Sequence, residues 1–89
     1  MNSHTTGQFR RLFAALPRHV QRQAKDAYRT FRENPGHPGL RFKQVCHDPP
    51  TYSARVGISY RAVGSRYGDT IVWFWIGSHA DYDKLLEQL

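Results

Sequence analysis

Two hydrophobic periods divide the chain. From Phe9 to Phe31 apolar residues recur as Phe9, Leu12, Phe13, Leu16, Val20, Ala24, Ala27, Tyr28 and Phe31. Steps of three and four place them on one stripe of an amphipathic helix. Pro17 interrupts the stripe. It disfavours helical backbone at Leu16 and cannot donate to the turn before it, yet it suits the first turn of a new helix. The pattern therefore predicts a short helix over Gly7–Ala15 and a longer one over Arg18–Glu33, forming a hairpin with one apolar face. Thr5 or Thr6 is the expected N-cap, and Met1–Gly7 reads as polar and frayed.

After the breakers Asn34-Pro35-Gly36-His37-Pro38-Gly39 the period changes to two. Leu40–Cys46 alternates as an extended edge segment, and Asp48-Pro49-Pro50 is a turn. Tyr52–Val56 and Ser59–Val63 read as strands joined at Gly57-Ile58. Thr70–Ile76 is apolar or β-branched throughout. Regular alternation sends Ile71, Trp73 and Trp75 to one face and Val72, Phe74 and Ile76 to the other. A strand apolar on both faces is buried on both, so this is the expected central strand. Gly77-Ser78 ends it, and Asp81–Gln88 predicts a short C-terminal helix. The fold class expected is α+β: a single domain over residues 1–89, with an N-terminal helical hairpin on a small twisted antiparallel sheet of three to four strands.

Charge narrows the range of partners. Thirteen Lys and Arg against seven Asp and Glu give a net charge of +6 in 89 residues. Ten of the thirteen are arginines, the better residue for bidentate phosphate contacts. A nucleic acid or an acidic protein segment is the implied partner. The outer hairpin cations Arg10, Arg11, Arg18, Arg22, Lys25, Arg29 and Arg32 read as a solvated face. No apolar run is long enough to span a membrane, and Met1–Phe9 has no apolar signal core. A single cysteine, Cys46, excludes an internal disulfide framework and fits a reducing cytoplasm. There is no glycine-rich phosphate loop. The five histidines are scattered and Cys46-His47 lacks zinc spacing, so neither metal nor cofactor is expected. Ser78, His79 and Asp81 are too close in sequence for triad geometry, and Asp81 reads as a helix N-cap or first-turn acid.

One constellation remains. Alternation puts Arg55 and Arg61 on the polar face of the hairpin, opposite Tyr52, Ala54, Val56, Tyr60 and Ala62. His79 and Tyr82 arrive from the end of the neighbouring strand, and Lys43 from the preceding segment. Metal-free RNA cleavage needs a base for the 2′-hydroxyl, cations for charge developing on phosphate and an acid for the leaving oxygen. His79, Arg61, Arg55 and Tyr82 are the catalytic candidates. Arg41, Lys43, Tyr60 and Arg66 are the RNA-binding candidates, while Trp73 and Trp75 read as core.

Four motifs carry a resemblance: the helix corner Leu16-Pro17, Asn34-Pro35-x-His37-Pro38, Arg55-x5-Arg61, and Ile76-Gly77-x-His79-x-x-Tyr82. In order and spacing, over Phe9–Leu86, the chain resembles the RelE/ParE superfamily of bacterial type II toxins, small basic partners of antitoxins. The resemblance implies a helical hairpin on a twisted antiparallel sheet. Its RelE branch implies mRNA cleavage in the ribosomal A site by basic, His and Tyr residues of the concave face. By motif, Arg55 takes a basic strand position, Arg61 the arginine of a Tyr-Arg pair, His79 the Arg or His after the last strand, and Tyr82 the nearby tyrosine. Two departures stand out: the family starts with a β-strand where Met1–Thr6 is short and polar, and Ser53 replaces a lysine of some ribosome-dependent members. The expectation is a cytoplasmic mRNA endoribonuclease that inhibits translation and is held by an acidic, partly disordered antitoxin segment. The alternatives are a ParE-like DNA gyrase inhibitor, or a degenerate toxin serving only as an antitoxin-binding co-repressor.

Overall fold

Thr6 begins the first helix, its Oγ1 accepting the Phe9 N–H at 3.1 Å. The computed structural model describes residues 1–89 and places α1 at Gly7–Ala14 and α2 at Arg18–Glu33. Between them the Pro17 corner leaves carbonyls of α1 without helical partners. The Gln21 side-chain amide lies within donating distance of two of them, on Phe13 and Ala14, and of the Leu16 carbonyl in the corner itself, at 3.2–3.3 Å. A 3-10 turn at Pro38–Leu40 leads into the sheet. Its strands are β1 (Asn2–Thr5), β2 (Lys43–Cys46), β3 (Thr51–Val56), β4 (Tyr60–Tyr67) and β5 (Thr70–Ser78), and α3 (His79–Glu87) closes the chain.

The α+β class is as expected, with one helical hairpin and a short last helix. The sheet is larger than expected and mixed: five strands in the order β1-β5-β4-β3-β2. Met1–Gly7 does not fray. Asn2–Thr5 pairs in parallel with β5, from Asn2 opposite Thr70 to Thr5 opposite Trp73. Four polar residues give no period-two signal, so this strand forms by backbone pairing rather than by side-chain burial. Asn2 N–H donates to Asp69 at 2.8 Å, Thr6 N–H to Trp73 at 3.0 Å, and the Trp73 indole N–H to Ser3 Oγ at 3.1 Å. With β1 in place, β5 is interior and the middle strand is β4.

The alternation expected along β5 holds only to Trp73. Val63 pairs with Trp75 and Gly64 with Trp73, so Phe74 is an extra residue and a β-bulge. The bulge exchanges the next two side chains. Ile76 joins Ile71 and Trp73 in the core under the helices, together with Phe31, Leu40, Ala54, Val56 and Ala62. Trp75 turns to the opposite face, where its ring covers Gly77: a Cβ on Gly77 would lie 2.7 Å from it. Gly64 permits the bulge, because a Cβ there would meet the Val72 carbonyl at 2.9 Å. On the core side, Phe31 packs edge-on to Phe42 at 5.1 Å and to Trp73 at 5.4 Å. No helix is long and apolar enough to cross a membrane.

Candidate functional site

Arg55 and Arg61 are direct cross-strand partners on β3 and β4. Their neighbours Ala54, Val56 and Ala62 pack under the helices, so both arginines point to the other face of the sheet. Gly57, at φ +59°, turns the chain between the strands. Both guanidinium groups grip this turn. Arg55 Nε donates to the Gly57 carbonyl at 3.0 Å, and Arg61 to the carbonyls of Tyr60 at 2.7 Å and Ile58 at 3.3 Å. Neither arginine has a carboxylate partner: Asp26 pairs with Arg29, and Asp83 lies beside His79. Burial lowers the Arg61 pKa from its ordinary value, and Arg55 and then Arg41 push the same way, while Tyr82 and Asp83 oppose them. A cation held against like charges without a counter-ion is a site that an anion would relieve.

The start of α3 is pinned beside this turn. Ser78 caps the helix, its Oγ accepting the Asp81 N–H at 3.2 Å, and His79 N–H donates to the Ser59 carbonyl at 2.8 Å. Asp81 is thus a first-turn acid, and the Ser78 hydroxyl is engaged in the cap. The His79 ring is half exposed, with Nε2 3.6 Å from Asp83 Oδ1. Its centroid is 5.7 Å from that of Tyr82.

Tyr82 departs from the catalytic role expected of it. It is 5% exposed, and its hydroxyl donates to Ser53 Oγ at 2.9 Å. The apolar ring under α3 and the polar tip on β3 make it an anchor between helix and sheet rather than a group facing substrate. The Ser53 hydroxyl, 2% exposed, completes that contact. Tyr82→Phe should leave Ser53 without this partner and lower stability by about 1–3 kcal/mol. A urea titration checks this; an unchanged midpoint would show that α3 does not depend on the bond.

The remaining candidates divide. Lys43 pairs with Ser53, is exposed and shares the arginine face. Arg41 is exposed and close enough to bear on Arg61 electrostatically. Tyr60 packs against the core on the helix side. Arg66 lies at the far end of β4, its guanidinium 5.2 Å from the Tyr52 ring centroid and its Nε bonded to Gly68 at 3.0 Å. Neither of these two joins the site. Two residues with no expected part at this face do lie there. Trp75 arrives through the bulge, whose sequence signal is Gly64 inside a strand. Asp83 meets His79 through the helical spacing of four. No group of three or more His, Cys, Asp or Glu side chains is placed to hold a metal ion.

Residues 18–84 match the family model of the ParE-like toxin domain. Among solved structures, a copper-bound mutant toxin from Helicobacter pylori is similar at a TM-score of 0.60. That likeness covers 91% of this chain and 97% of the other at 14% identity, and is one of fold. No curated protein matches in sequence.

Proposed function

This chain belongs to the ParE-like toxin family, and we propose that it acts as an mRNA endoribonuclease of the RelE kind, cutting messages on the ribosome in the cytoplasm. The observation that supports this reading is the Arg55–Arg61 pair, without carboxylate partners and flanked by Arg41 and Lys43, beside the exposed imidazole of His79. In the reaction proposed, the 2′-hydroxyl loses its proton and its oxygen bonds to phosphorus. The bond to the 5′-oxygen breaks, that oxygen takes up a proton, and a 2′,3′-cyclic phosphate remains. Arg55 and Arg61 bind the phosphoryl oxygens as charge builds, and His79 moves a proton, oriented by Asp83. Tyr82 positions α3, and with it His79.

Gyrase inhibition is the second reading. The ParE-like description of the matching family and the internal engagement of Tyr82 favour it. Inducing the protein alone and mapping 5′ ends of cellular mRNA separates the two. New 5′ ends within coding regions, with translation stopping first, are expected. Arrest of DNA replication with intact messages would replace this reading by the gyrase one.

A toxin of a toxin–antitoxin system has a cognate antitoxin. Its proposed seat is the apolar groove of about 410 Å³ between α1, α2 and the sheet, with Phe9, Phe13, Ala24 and Ala27 on its walls and Arg10 and Lys25 lining it. An acidic segment that folds on contact would place apolar side chains in the groove and carboxylates beside the two cations. If the acidic product of an adjacent reading frame neither co-purifies with this chain nor relieves its toxicity, this seat is wrong.

A further inference from the structure

The net charge is concentrated away from the arginine pair. Gln8–Glu33 holds seven cations and two acids, a surplus of five out of the total +6. On α2 the cations Arg18, Arg22, Lys25, Arg29 and Arg32 follow steps of 4, 3, 4 and 3, the spacing of one helical face, and all five are exposed. Only Arg29 has an ion-pair partner, Asp26 at 3.2 Å, itself largely exposed. The row is about 21 Å long at the usual helical rise. At its N-terminal end, Arg18, Arg22 and Lys25 line a cleft of about 470 Å³ together with Ala14, Leu16 and Gln21, and no acid lines it.

The geometry points to a second binding surface, along α2, for the phosphodiester backbone of a double-stranded nucleic acid. Four of the five cations are arginines, whose planar fork suits phosphate oxygens. Laid along the duplex axis, the row covers the rise of about six base pairs. A single strand is held by stacking on aromatic platforms as well as by charge. The aromatic beside this row is Tyr28, 38% exposed, with the Arg32 guanidinium 6.0 Å from its ring centroid. An acidic protein segment would want apolar anchors, and those lie in the groove, which of the five cations of the row only Lys25 lines. The α2 row lies on the helical side of the sheet and the Arg55–Arg61 pair on the other, so a duplex and a single strand can be held together. The surface stands independently of the cleavage reading.

Fluorescence anisotropy of the full chain with a labelled RNA duplex of two helical turns, in parallel with a DNA duplex, tests this. The doubly substituted Arg18→Gln, Arg22→Gln protein should bind about tenfold or more weakly, and its log K against log salt slope should fall by about two. Arg18→Lys with Arg22→Lys should restore most of the slope, and Lys84→Gln, which removes an exposed cation on α3, should leave duplex binding unchanged. The RNA and DNA arms tell whether the duplex is structured RNA or a DNA site, and either result supports the surface. An unchanged slope in the double glutamine variant would overturn it. So would loss of binding to polyglutamate with duplex binding intact, which would make the row a contact for acidic protein. Circular dichroism of the variant verifies that α2 is folded.

Discussion

Arg61→Gln should lower RNA cleavage about 10²–10³-fold, the usual cost of removing one donor that meets charge developing in a transition state. The loss should be chemical rather than structural. Arg61 faces Arg55 directly across the ladder, and like charges in that position destabilise a sheet. Burial already works against its charge. A neutral side chain relieves both penalties while forfeiting bonds to two turn carbonyls, so the variant should melt close to the parent. Growth arrest on induction should disappear together with new mRNA 5′ ends. A variant that is folded, toxic and still cutting would remove Arg61 from the chemistry. A variant that loses toxicity although the parent cuts no RNA would move the arginine pair to another target.

The largest stability effect expected is that of Trp73→Ala. Trp73 is 4% exposed, packs against Phe31, and donates its indole N–H to Ser3 on β1. Truncating a buried aromatic of this size costs about 3–5 kcal/mol. A domain of this length has roughly 5–13 kcal/mol in total at the usual stability per residue. The variant should therefore lose much of its stability, and β1 should lose its side-chain tie to β5. Trp75→Ala should cost distinctly less, because the bulge at Phe74 turns Trp75 to the other face, where it is only partly buried. Urea midpoints of the two variants measure the difference. Equal losses would mean that both indoles share one core, which would contradict the bulge.

That comparison marks the boundary between local and long-range information. The two helices, the Pro17 corner, the Thr6 cap and the turn at Gly57 were legible because each depends on residues within a few positions. Spacing of the apolar residues sets a helical face, and backbone sterics set caps and turns. The same locality made the Arg55–Arg61 pair legible: two strands joined by a tight turn bring fixed positions opposite one another, and alternation assigns their face. His79, first residue of the last helix, followed from the end of an apolar strand.

Three features were decided only by the tertiary structure. Asn2–Thr5 carries no pattern of its own and becomes a strand because β5, some 68 residues further along the chain, offers an open edge. Trp75 and Ile76 exchange faces because one extra residue enters the β4–β5 pairing at Gly64, which a period-two reading cannot register. Tyr82 points inward because Ser53, 29 residues before it, leaves room and an acceptor for its hydroxyl. Local sequence sets which face of an element is apolar. Which partner covers that face, and in what register, is settled by contacts between segments far apart in the chain, whose free energy appears only once they meet.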